Sequence, residues 1–104
     1  MAQHIGIQKI DENGLIRESC KLNFAVVINF LKKINGSNEQ YPLLASIDPY
    51  GDTILNKNQL SLLMTELVRL QAESKEEIKK HNVDAMMHFF NQLDTNQYIK
   101  FIGD

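Results

Sequence analysis

The chain holds three histidines, thirteen acidic residues and one cysteine. The tightest constellation among these reactive side chains is His81, Asp84 and His88. Steps of three and four residues place them within roughly 60° of one another on a helix face. A three-ligand metal site, and with it a small metal-dependent enzyme, would use that arrangement. The same face lies away from the apolar stripe of its segment, where polar residues are expected in any case. No neighbouring group is placed to fix the ring tautomers. We expect a solvated helix face there and no metal.

Other acids invite the same test. Asp48 and Asp52 flank Pro49-Tyr50-Gly51. Paired carboxylates can do acid–base work when burial or a neighbouring charge lifts one pKa, but acids in a turn ordinarily bond their own backbone. Asp94-Thr95-Asn96-Gln97-Tyr98 opens like a calcium loop, yet it has Ile99 at the sixth position, where glycine is needed, and reaches only Asp104 at the eleventh. Asp11-Glu12-Asn13-Gly14 brings its glycine too early. Cys20 has no base near it in sequence and reads as a small apolar residue. There is no phosphate-cradling glycine loop, no Ser-His-Asp context and no Cys/His zinc spacing. The expectation is a protein without catalytic residues or cofactor.

Partner binding asks less of a sequence. Interfaces favour aromatic anchors within polar rims. Tyr41 and Tyr50 both fall on predicted loops, and Tyr50 has Asp48 and Asp52 on either side. Glu12, beside Asp11, and Asp104 with its own carboxylate are further acids near predicted strand ends. Asp48, Tyr50, Asp52, Tyr41, Glu12 and Asp104 are therefore the expected partner-binding residues, suited to a cationic groove.

Composition limits the partners. At 104 residues, with 43% hydrophobic and 23% charged residues, the chain suits one domain spanning 1–104 with one core. Formal net charge is -2, and residues 1–56 carry five Lys/Arg against six Asp/Glu while 57–104 carry six against seven. With no cationic cluster, direct nucleic-acid binding is not expected. The longest apolar cluster, Phe24 to Leu31, is interrupted by Asn29 and closed by Lys32 and Lys33, too short to cross a bilayer. Met1 to Ile10 lacks a secretory pattern. A single cysteine fits a reducing compartment, so a cytoplasmic location is expected.

These features need elements to position them. Residues 3–10 and Leu15–Ser19 read as strands joined by an Asn13-Gly14 hairpin turn. Phe24, Val27, Ile28, Leu31 and Ile34 recur at helical spacing after a capping Asn23, and Asn35-Gly36 ends that helix. Leu43–Ile47 reads as a buried strand, followed by a turn in which Gly51 permits an unusual φ, and Thr53–Leu55 as a possible return strand. Asn56 caps a long helix whose inner side holds Leu60, Leu63, Leu67 and Leu70, with Leu62, Glu66 and Arg69 on the polar side. Ser74-Lys75-Glu76-Glu77 has the form of a capping box that starts a third helix. Residues 97–102 alternate as a final strand, paired with the N-terminal hairpin or the central strand. The order β-β-α-β-α-α-β predicts an α+β fold: a two-layer domain with a small, mainly antiparallel sheet covered by three helices.

Asp-Glu-Asn-Gly at 11–14, Ile-Asp-Pro-Tyr-Gly-Asp-Thr at 47–53 and Lys-Phe-Ile-Gly-Asp at 100–104 resemble a group of small bacterial single-domain proteins, and the whole chain has that group's size and layout. It also resembles the immunity proteins of contact-dependent growth inhibition systems. That resemblance implies a cytoplasmic inhibitor, monomeric or in a 1:1 heterodimer, that binds a cognate toxin domain, often a nuclease, and covers its active site. It supplies no binding residues to transfer. The competing expectations are a metal-dependent or acid–base enzyme built on His81, Asp84 and His88, and a homo-oligomeric adaptor module.

Overall fold

The structure, a computed structural model, describes residues 3–104. Its elements run β1 (Gly6–Asp11), β2 (Ile16–Cys20), α1 (Ala25–Leu31), α2 (Ser37–Gln40), α3 (Pro42–Ala45), β3 (Asp52–Leu55), α4 (Lys57–Glu73), α5 (Lys80–Asn91) and β4 (Gln97–Ile102). The four strands form an antiparallel sheet in the order β2-β1-β4-β3. The helices cover one face, so the predicted two-layer α+β architecture is what the chain adopts, with two single-turn helices added to the three expected.

Period-two alternation decides which face of the sheet is inside. Ile7, Ile99, Phe101 and Leu55 point into the core, where Phe101 meets Phe24 at 4.8 Å and Phe90 at 6.1 Å between ring centroids. Lys9 shares this inner face at the rim. Its ammonium lies 5.6 Å from the Phe89 ring centroid and 3.2 Å from Glu18 Oε1, so the buried stem ends in a paired head. The final strand takes an interior place, hydrogen-bonded to both β1 and β3.

The hairpin forms, with a different turn. Gly14 N–H donates to Asp11 C=O, Asp11 N–H donates to Leu15 C=O, and only Gly14 has positive φ, at 83°. This is a three-residue loop closed by a glycine bulge, not a two-residue Asn-Gly turn. Asp11 Oδ1 accepts from the Asn13 and Leu15 amides and so stabilises the wider loop.

Residues 43–47 are not a strand. Pro42 opens helix α3 at a position where its missing N–H costs nothing. Glu66 on α4, only 7% exposed, accepts from the Leu43 and Leu44 amides at 3.0–3.2 Å. A carboxylate at a helix N-terminus satisfies donors that would otherwise be buried alone. Glu66 therefore belongs to the inner side of α4, not the polar side. The sheet's third strand is the return segment, Asp52–Leu55.

Ser74 does not start a helix either. It ends α4, with its hydroxyl donating to Gln71 C=O and accepting from the Ile78 amide. Glu77 pairs with Lys33 instead of closing a box, and α5 begins at Lys80. Lys75 and Glu76 turn the chain between the two helices with φ of 49° and 78°. The Asn56 cap holds as predicted, reciprocated by Gln59. Asn23 also caps: its Oδ1 accepts from the Ala25 amide at the start of α1 and from the Ile5 amide ahead of β1.

Candidate functional site

The turn 48–52 is built from its own acids. Asp48 Oδ1 accepts from the Tyr50 amide at 2.9 Å, and the Asp48 amide donates to Thr53 Oγ1 at 2.9 Å. Side-chain bonds of this kind hold a turn without help from a ladder. Gly51 is not in the left-handed region; what it supplies is space, because a Cβ there would lie 2.6 Å from Asp48 Oδ2.

The chain's last residues close over this turn. Gly103 N–H donates to Gly51 C=O at 2.7 Å and Asp104 N–H to Pro49 C=O at 3.1 Å. The approach is so close that a Cβ on Gly103 would lie 2.4 Å from Pro49 O and 2.8 Å from Tyr50 N. Asp104 Oδ2 then accepts from the Gln3 and His4 amides, tying in the stretch before β1. Four predicted residues, Asp48, Tyr50, Asp52 and Asp104, thus come together at one end of the sheet.

Tyr50 stands out from this end, 60% exposed, with Lys32 Nζ 5.7 Å from its ring centroid. A cation above one ring face restrains the ring without covering it. Asp52 Oδ2 lies 3.5 Å from Lys100 Nζ, an exposed pair of small energetic weight. Three carboxylates against two lysines leave a slight negative excess around an exposed aromatic. The result is a restrained, exposed aromatic knob with a polar rim.

The other two predicted residues lie elsewhere. Tyr41 is buried at 3% exposure, not on the surface. Its hydroxyl donates to Glu73 Oε2 at 2.6 Å, and the Arg69 guanidinium lies 4.9 Å from its ring centroid. Burial, followed by the hydrogen bond to Glu73, raises its pKa above 10.0. Tyr41 therefore locks the α2–α3 corner onto α4 and cannot anchor a partner. Glu12 follows Asp11, which pairs with Gln97, whereas Asp52 pairs with Ile102 at the far end of β4. Five strand steps, about 17 Å, separate it from the knob. Glu12 lines a polar recess of about 520 Å³ with Asp11, Arg17 and Asp94–Gln97, so the two segments that failed the calcium-loop test sit side by side.

His81, Asp84 and His88 are exposed on α5. Asp84 pairs with Lys80 at 3.2 Å and His88 Nε2 lies 2.9 Å from the Gln92 amide nitrogen. Among the described residues no group of three or more His, Cys, Asp or Glu side chains is placed to hold a metal. Nor is any helix among them long and apolar enough to cross a membrane.

Sequence reasoning missed Lys32 and Lys100 as part of the knob. Both approach it through tertiary structure, and neither carries a local signal. No protein-family model, curated protein or solved structure matches the chain, so the knob stands on its own geometry.

Proposed function

We propose that this chain is a stoichiometric protein inhibitor of the immunity type: it binds a cognate bacterial toxin domain, of nuclease chemistry, in the cytoplasm of the cell it protects and covers the toxin's active site. What supports the reading is the Tyr50 knob, an exposed aromatic held by Asp48 and by the strand end that carries Gly103 and Asp104. A pre-organised anchor loses little entropy on binding. Its carboxylate rim resembles the charge of a nucleic-acid backbone and would enter a cationic groove. Because the local charge excess is slight, the ring must supply contact energy alongside the acids.

The test is titration of the toxin domain encoded beside this gene with wild-type protein and with the Tyr50→Ala/Asp52→Ala double variant. Both side chains are exposed, so the fold should survive. Loss of a central anchor and its charged neighbour should weaken binding by about 100-fold or more. Affinity equal to wild type would remove this end of the molecule from the interface.

A further inference from the structure

A recess of about 260 Å³ enters the molecule where the starts of α1 and α5 meet the connector between α4 and α5. Leu22, Val26, Val27, Ile78 and Met86 supply its apolar lining. Val27, Ile78 and Met86 are buried members of the hydrophobic core, while Val26 is 48% exposed. The recess is therefore a gap that reaches core side chains from outside, not an apolar patch lying on the surface. From the start of α5 onward its residues are Lys79, Asn82 and Met86, at steps of three and four. One side of that helix thus carries both polar and apolar parts of the wall.

Four polar side chains line the same recess, Asn23, Glu77, Lys79 and Asn82, and their partners differ. Asn23 is fully engaged: its Oδ1 accepts from the Ile5 and Ala25 amides, and its Nδ2 donates to Gln3 C=O. Glu77 pairs with Lys33 at 3.0 Å, which cancels its charge. Among the described residues neither the Lys79 ammonium nor the Asn82 side-chain amide has a partner. What remains is one cation and one amide, three residues apart, beside an apolar hollow.

We infer that this recess binds a small monocarboxylic acid with an apolar body, its body against Val27, Ile78 and Met86 and its carboxylate at Lys79 and Asn82. Small-molecule sites have this make-up, an apolar lining with a few polar groups that fix orientation. A neutral ligand leaves the Lys79 charge unanswered, and a cationic one is repelled by it. An apolar cavity of about 150 Å³ holds benzene, so this recess takes about ten non-hydrogen atoms, a ring with a short chain. Met86 suits such a body, because an unbranched thioether adapts to the outline it meets. A ligand of that size held by one exposed cation binds with a Kd of about 0.1–1 mM. The recess and the Tyr50 knob share no residue. No toxin enters the test below, so the inference stands or falls apart from the knob's function.

Titration of the full chain with 3-phenylpropionate, followed by two-dimensional amide NMR to about 10 mM, tests it, since that is ten times the weaker Kd. Saturable shifts should concentrate at Leu22–Val27 and Ile78–Met86. The isosteric neutral probe, 3-phenylpropanamide, should bind about fivefold more weakly, as the loss of one exposed ion pair allows. Lys79→Met should weaken the acid by the same factor and leave the amide unchanged, which separates the charge from the packing. Propionate, with the charge but no ring, should not saturate. Val26→Asp should abolish binding of the acid, with an otherwise unchanged amide spectrum, because an aspartate is tolerated in the first turn of a helix. Absence of saturation by the acid overturns the inference, as do shifts that fall elsewhere or equal affinity of the wild type for acid and amide. Saturation by a peptide ending in phenylalanine but not by the free acid assigns the recess to a protein terminus and overturns it equally.

Discussion

Single residues turn on what their polar atoms meet. Tyr41 was expected to be an exposed anchor because it falls on a predicted loop. Its ring is instead buried against α4, and its hydroxyl donates to the Glu73 carboxylate. Its raised pKa has a measurable consequence. An acid whose folded pKa exceeds its unfolded value keeps its proton longer in the native state, so its contribution is intact below the unfolded value, about pH 10, and is lost as pH rises beyond that. Tyr41→Phe should cost about 1–2 kcal/mol at neutral pH through the lost bond to a charged acceptor. Urea titrations of both proteins should show that gap constant to about pH 10 and narrowing above it. Glu66 was misplaced for a related reason. It stands three residues after Leu63 and four before Leu70, so its inward position was visible in the spacing, but a lone carboxylate inside a helix stripe is read as surface until its acceptor role is known.

Elements were legible where one local force dominates. The alternation at 97–102 gave β4 with the bounds observed, and Asn56 marked the start of α4. The segment 43–47 misled because a short apolar run suits a buried strand and a buried helical turn equally. The arbiter, Glu66, lies 22 residues away from Leu44. Ser74 and Glu77 matched a capping pattern, yet the hydroxyl was taken by the end of the preceding helix. The resulting connection places Lys75 and Glu76 in the left-handed region, where an L side chain costs roughly 1–2 kcal/mol per residue. Glu76→Gly should therefore stabilise the protein by about 1 kcal/mol, less the entropy glycine adds to the unfolded chain. Thermal melts should register a small rise, below the roughly 4–8 °C that a full 1 kcal/mol would give. Glu76→Ala keeps the strain and should show no comparable rise.

For the whole molecule, helical and strand periods indicated two layers, but the strand order was not readable, because β1 and β4 meet only through contacts spanning most of the chain. Of the six residues proposed for the binding site, the four that cluster are those the strand pairing gathers. Glu12 was excluded by the antiparallel direction of β4. Phe101 shows how much passes through that last strand. It is fully buried and packs against the rings of Phe24 at the start of α1 and Phe90 on α5. Phe101→Ala should remove about 3–5 kcal/mol of stability, a large share of the about 5–15 kcal/mol typical of a domain, measurable as a fall in urea midpoint with unchanged slope. Gly103 extends this dependence beyond packing. Every amino acid reachable from a glycine codon by one base change brings at least a Cβ, and here that atom would strike the main chain of Pro49 and Tyr50. The position that joins the strand end to the knob thus tolerates no change of amino acid without a backbone shift, and the knob's shape is guarded against drift by a residue that has no side chain of its own.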